Sequence, residues 1–417
     1  MYFDKTAKKY GFLPRIQEEV MAYNRRNYNS YNNNKIHVSR RLRNRAIIIA
    51  VGIVVFALIV ALISSIISCV CTGTTKTEPT IDTATVGTGT NAKQTAKKTT
   101  DDSIKFKEPE IRDTDTSSEG VFDGDYYVWN SKAFEAFKGS KSNAKEYAEV
   151  INGTKSRLGT KVNVYSELVP THIEMGLPNR LKNTENGIKT KSQADYIKAA
   201  YKALDKKVKY INCYNLMSEH CNDYIFFDSD YNPTGLGGYC VYRSFVQSIN
   251  KKPISLGNCT EGTVENFYGY YNNFLDTELN VDSVHYWDFN YKVTNQITTA
   301  DDEEETEYSC YNKEAETGAG AYNVFLYGKN PLEVIKSENS TASGKIAIIH
   351  NNTGNSSVPY FTYNYEEVYS VDYTVYKGDL KKLCDENGIT NVLFLNDTDS
   401  SSDSDQLSKL KAFTAVG

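Results

Sequence analysis

From Ala46 to Cys71 the chain carries no charged residue, and Ile, Val, Leu, Ala and Phe dominate. At about 1.5 Å per residue such a run can cross a hydrocarbon core of roughly 30 Å. A soluble core has no use for so long an uncharged helix. Arg40, Arg41, Arg43 and Arg45 stand on its amino-terminal side, and Thr72, Gly73, Thr74 and Thr75 on the other. Cationic flanks stay in the cytoplasm, so the run reads as one transmembrane signal anchor in the cell membrane. Residues 1–45 are then inside and the carboxy-terminal part is extracellular.

The charge distribution agrees with that topology. The 417 residues sum to a formal charge of −5, which argues against nucleic acid as the main ligand. Residues 1–45 hold 11 Lys/Arg against 3 Asp/Glu, leaving 36 basic and 49 acidic residues for the rest. A cleaved secretory signal fits poorly, because 45 residues precede the apolar run. Ile66-Ile67-Ser68-Cys69 loosely matches a lipoprotein cleavage box, which leaves processing at Cys69 as the alternative. The Tyr-, Asn- and Arg-rich tail 1–45 reads as disordered, and the Thr-rich stretch 72–120 as a linker.

From residue 121 to 417 the pattern is that of an extracellular α/β domain. Helical spacing places Ala144, Tyr147, Ala148, Ile151 and Leu158 on one face over 142–158, and predicts further helices at 190–205, 235–250 and 377–387. Strands are expected at Val162–Val169, Val208–Tyr214, Lys345–His350, Glu367–Asp372 and Asn391–Asn396. Such alternation predicts a mainly parallel sheet with helices on both faces. Residues 255–340 read as an insertion of irregular and β structure. Its acidic run Asp301–Glu307 reads as a solvated loop, with a calcium site as the alternative.

Little of the usual catalytic vocabulary is present. There is no phosphate loop, Rossmann fingerprint, zinc-protease helix or C-x-x-C pair, and no cofactor or metal is expected. Gly235-Leu236-Gly237-Gly238 opens a helix, which alone does not make an anion site. Six cysteines follow the apolar run (Cys213, Cys221, Cys240, Cys259, Cys310 and Cys384), and fifteen full pairings are open to them. Cys213, Cys240 and Cys384 fall on expected core elements, where a buried free thiol is the plainer reading. Imidazole catalysis outside the membrane has only His172, His220, His285 and His350 to draw on.

The segment Tyr224–Tyr242 (YIFFDSDYNPTGLGGYCVY) resembles the signature of the DHHW family, in which Asp-His-His-Trp-Thr precedes a Gly-Ala-Tyr-Tyr-Ala-Tyr helix. Asp230, Thr234, Gly237, Gly238, Tyr239 and Tyr242 match. Val164–Pro178, Tyr322–Pro331, Lys345–Pro359 and Asn391–Asn396 resemble further family segments in the same order, so the likeness spans about 120–398. It implies an SGNH-hydrolase-like, three-layer fold related to the alginate-type polysaccharide O-acetyltransferases. It also implies a triad of Asp230, a base at 232 and a nucleophile at 352.

The departures fall on that triad. The family's two histidines correspond to Tyr231 and Asn232, its Trp to Pro233, and its Lys-Asp-Ser-Tyr to His350-Asn351-Asn352-Thr353. An amide accepts no proton at ordinary pH and attacks esters poorly, so only Asp230 keeps its chemistry. The expectation is a non-catalytic protein that binds cell-wall or capsular glycan through Tyr231, Asn232, Thr234, His350, Asn351 and Asn352, or scaffolds an acyltransferase machinery. The alternatives are an active esterase or O-acetyltransferase with relocated residues (His350 beside Thr353, Ser356 or Ser357), and a structural surface protein.

Overall fold

A computed structural model describes residues 104–415. The basic tail, the apolar run, Cys69 and the linker as far as residue 103 lie outside the described residues. Among the described residues no helix is long and apolar enough to cross a membrane.

The first strands, β1 (Val121–Asp123), β2 (Tyr126–Trp129) and β3 (Lys132–Glu135), form an antiparallel meander. Asn130 and Ser131 join β2 to β3 with φ of 51° and 56°. Two left-handed residues in a two-residue loop match the twist of the flanking strands. Helix α1 (Lys141–Leu158) then starts at Ser140, whose Oγ accepts from Asn143 N at 3.2 Å. Its buried face carries Ala144, Tyr147, Ala148, Ile151 and Leu158, as the spacing predicts. Next come β4 (Asn163–Val169), α2 (His172–Gly176), α3 (Gln193–Ala203) and β5 (Val208–Ile211), followed by α4 (Tyr214–Glu219) and α5 (Gly235–Ser248). The strand expected at Val208–Tyr214 is therefore shorter, because Tyr214 opens a helix.

The remaining strands are β6 (Thr260–Phe267) and β7 (Asp282–Asp288), a separate ribbon, then β8 (Val293–Thr298), β9 (Glu304–Glu307), β10 (Leu332–Ser337), β11 (Lys345–His350), β12 (Glu367–Asp372) and β13 (Asn391–Asp397). Helices α6 (Leu380–Asn387), α7 (Thr398–Ser402) and α8 (Ser404–Ala415) complete the domain. The main sheet runs β5-β4-β13-β11-β12-β10-β8-β9. Its first five strands are parallel and its last three join antiparallel. The expectation of a mainly parallel sheet is thus corrected to a mixed one. Residues 255–340, expected as an insertion of irregular and β structure, supply β8, β9 and all of β10 to the main sheet. The acidic run is exposed as expected and its first half is a turn, but Glu304–Glu307 forms the sheet's outermost strand.

Both faces of the sheet are covered. Ser166 Oγ meets the Tyr147 hydroxyl of α1 at 3.1 Å, whereas the neighbouring Tyr165 ring packs on Phe245 of α5 at 5.1 Å. Successive strand residues face opposite ways, so α1, with α3, α7 and α8 against it, covers one face and α5 the other. Gly238 lets α5 approach closely, because a Cβ there would stand 2.4 Å from the Ser356 carbonyl carbon. A Cβ at Gly235 or Gly237 would likewise stand 2.2 Å from His285 O or 2.1 Å from Ile225 O, so close packing accounts for the glycine group. All six described cysteines are free thiols, and Cys213, Cys240, Cys310 and Cys384 are buried.

The end of the expected linker is packed onto the domain. Asn215 accepts from Lys107 N at 2.8 Å and donates to Lys105 O at 3.1 Å. Asn222 repeats the device on Arg112 N and Glu110 O, at 2.6 and 2.8 Å. Arg180 closes a two-pronged pair on Asp113, and Phe106 packs on Tyr214.

Candidate functional site

The parallel strands β4, β13 and β11 end side by side, and α/β folds place ligands at that edge. A narrow cavity with room for about one water molecule lies there and is lined by Val169, Phe226, Tyr231, Thr353, Asn396 and Asp397 among others.

One wall is the loop before α5, held by two buried carboxylates. Asp282 accepts from Asp228 N at 3.0 Å, Ser229 N at 2.8 Å, Ser229 Oγ at 2.6 Å and the Tyr224 hydroxyl. Asp230, 4% exposed, accepts from Asn232 N at 2.8 Å and Asn232 Nδ2 at 2.7 Å on one oxygen, and from Tyr270 N at 2.6 Å on the other. Burial outweighs these donors and pushes the Asp230 carboxyl up to about 6. The Asn232 amide thus donates to Asp230 as an imidazole N–H would. Its Oδ1 has no partner among the described residues. Of the expected site residues Tyr231 lines the cavity, whereas Asp230, Asn232, Thr234, His350, Asn351 and Asn352 sit outside its lining. Thr234 has a structural role. It caps α5 through Gly237 N at 3.2 Å and donates to Tyr224 O at 2.5 Å.

The facing wall is the turn after β11. The Tyr231 hydroxyl lies near the Asn352 side chain, which accepts from Asn355 Nδ2 at 3.4 Å. Tyr231, which lies between Asp230 and Asn232 in the chain, is thus the residue of that loop that faces residue 352. Thr353 Oγ1 donates to Asp397 Oδ2 at 2.9 Å, and Asn351 Nδ2 reaches the same oxygen at 3.4 Å. His350 turns the other way. Its Nδ1 lies 2.7 Å from Asn351 O and its Nε2 2.7 Å from Ser370 Oγ, inside the sheet. A carbonyl can only accept, so Nδ1 carries the proton and Nε2 accepts from the serine. Burial lowers the His350 pKa and keeps the ring neutral.

The expected neighbourhood of His350 with Thr353, Ser356 or Ser357 is thus corrected, because the ring is engaged by Ser370 instead. His172 is buried between Phe134 and Phe226, at 4.5 and 5.5 Å, and desolvation takes its pKa down to about 3. His220 pairs with Asp223, and His285 with Glu261. Sequence reasoning missed Asn396, Asp397 and Tyr270. Asp397 had a signal, since an acid directly after the buried run of β13 stands at a strand's carboxy end. Tyr270 had none, because its approach to Asp230 is a contact across 40 residues. No three His, Cys, Asp or Glu among the described residues are grouped as metal ligands would be.

This geometry has counterparts. A DHHW family protein from Eubacterium siraeum superposes with a TM-score of 0.63 at 25% identity, covering 70% of this chain and 97% of that one. Bacillus cereus PatB1 gives a TM-score of 0.55 at 16% identity over 70% and 99%. PatB1 with a sulfonyl adduct gives 0.53 at 17% over 68% and 98%. No curated protein matches the sequence. The sequence profile described as DHHW protein matches residues 95–371, which include the carboxylate loop and the facing turn. The chain belongs to the DHHW family.

Proposed function

We propose that this is a membrane-anchored, extracellular, SGNH-hydrolase-like member of the family that performs no acyl chemistry and binds or scaffolds cell-envelope polysaccharide. One observation carries the reading: at the base position an amide, Asn232, donates to Asp230. A serine hydroxyl becomes a nucleophile only when a neighbouring base takes its proton, and an amide takes none. The nucleophile position holds a second amide, Asn352. Disabling a triad leaves about 10³–10⁴-fold over water, too little for a dedicated hydrolase. The uncharged run behind four arginines supports the anchor and the outward domain.

The purified chain should release no acetate from a chromogenic acetyl ester. It should retain a cell-envelope glycan, and lose it on Asn232→Ala or Asn352→Ala. Asn232→His combined with Asn352→Ser should restore ester hydrolysis, since Asp230 already receives an N–H from residue 232. A folded double variant that stays inert would refute this assignment of the site.

One observation favours the alternative of an active esterase with relocated residues: His350 accepts from a serine hydroxyl. Against it, Ser370 lies on β12 and its hydroxyl is engaged by His350 within the sheet, away from the turn that holds residue 352. Ester turnover in the parent chain that disappears in Ser370→Ala would establish the alternative.

A further inference from the structure

A second cavity, larger than the one at the strand ends, opens where the segment 104–113 crosses the domain. Its volume is about 440 Å³, and it shares no lining residue with the first. Sites for small organic ligands run from about 300 to 1,000 Å³. Phe106 and Glu108 come from the packed segment, Glu174 from α2, Lys182 and Lys191 from the loop between α2 and α3, and Tyr214 from α4. The Phe106 wall is fixed, because Asn215 grips the backbone on either side of it, at Lys105 O and Lys107 N.

Four charged side chains line this cavity, two of each sign, and each is held by a neutral group. The Tyr214 hydroxyl donates to Glu174 Oε1 at 2.8 Å, and Asn179 Nδ2 donates to Glu108 Oε1 at 2.6 Å. Lys182 Nζ donates to the backbone oxygen of Glu174 at 3.2 Å, and Lys191 Nζ to that of Lys138 at 2.8 Å. None of the four forms an ion pair with another among the described residues. Each carboxylate therefore keeps its second oxygen for an incoming partner, and each ammonium has donors to spare. Glu174 and Lys182 are half-buried, whereas Glu108 and Lys191 are exposed. Burial holds the Lys182 ammonium below its usual range, so it is short of counter-charge.

Separated charges of both signs that leave no net charge suit a ligand that carries both signs itself. An anion alone would meet two carboxylates, and a cation alone two ammonium groups. Phe106 packs on Tyr214 at 4.8 Å, which sets an apolar face beside the Glu174 carboxylate. A single amino acid would leave most of the volume unfilled. We infer that this cavity binds a short zwitterionic peptide, with its amino end on Glu174, its first side chain against Phe106 and Tyr214, and its carboxylate on Lys182. The inference does not depend on what the cavity at the strand ends binds.

Titration calorimetry on the full 417-residue chain in mild detergent tests it with phenylalanylalanine, its N-acetyl form and its carboxy-terminal amide. The free dipeptide should bind, and blocking either end should weaken binding about tenfold, the value of one charge contact. That comparison needs no variant. Lys182→Met should weaken the free dipeptide about tenfold and leave the amide unchanged. Glu174→Gln keeps an acceptor for the Tyr214 hydroxyl, and should weaken the free dipeptide about tenfold while leaving the N-acetyl form unchanged. Phe106→Ala should weaken all three. An unchanged unfolding midpoint marks each variant as folded. No binding of the free dipeptide, equal binding of the three forms, or variants that weaken free and blocked forms alike overturns the assignment. Tighter binding of cellobiose, lost in Glu174→Gln, overturns it in favour of a neutral sugar.

Discussion

The carboxylate loop and the 350–357 turn face one another across the same cavity, yet they depart from the family in different ways. In the loop, Asp282 and Asp230 gather seven donors, and residue 232 presents an N–H to Asp230 just where an imidazole would. In the turn, the imidazole of His350 lies against Ser370 inside the sheet, and the Thr353 hydroxyl is tied to Asp397. There the alternative reactive groups are turned to structural use. The difference teaches that one wall holds its carboxylates with donors gathered on the loop, whereas the other ties its reactive side chains into the sheet and a strand end.

If the loop is held by its acids, Asp282→Ala should be the most damaging change. It strands two hydroxyls and two backbone amides, and a loss of about 3–5 kcal/mol in urea unfolding is expected. A loss under about 1 kcal/mol would break the comparison.

Asp230→Asn sharpens it through pH. Burial raises this carboxyl to about 6, so the folded state prefers it protonated. Its stabilising contribution is full below about pH 4 and is withdrawn as pH rises through 6. The variant has no such titration. Its stability relative to the parent should therefore grow by on the order of 3 kcal/mol from pH 4 to 7, read from unfolding midpoints.

On the opposite wall, Ser370→Ala leaves His350 Nε2 without a donor and should cost about 1–3 kcal/mol, with glycan binding unchanged by calorimetry. The smallest effect is expected far from both walls. Asn215→Ala should cost about 1 kcal/mol and speed hydrogen exchange at the Lys107 amide.

Sequence reasoning read the parallel half of the fold well, for a physical reason. Strands β11 and β12 run Lys345–His350 and Glu367–Asp372, as expected, because buried parallel strands are short apolar runs with plain ends. Strands β8 and β10 escaped as members of the main sheet. What places them is register, such as Leu332 opposite Val371, and local composition carries no trace of a partner 39 residues away. The packed segment 104–113 escaped likewise, since it is polar and is held by asparagines more than 100 residues downstream. At the site, the family pattern pointed to positions 230, 232 and 352. It could not tell that His350 would point into the sheet, which depends on a rotamer and on Ser370 across the strand pair.

The acidic strand β9 has a consequence beyond the fold. A sheet that ends in an open rim offers unpaired backbone groups to any extended chain, including a second copy of itself. Here the rim is studded with Glu304, Glu305 and Glu307, so two copies meeting rim to rim would set like charges opposite one another. Copies crowded at high density would therefore jostle without zipping into fibrils.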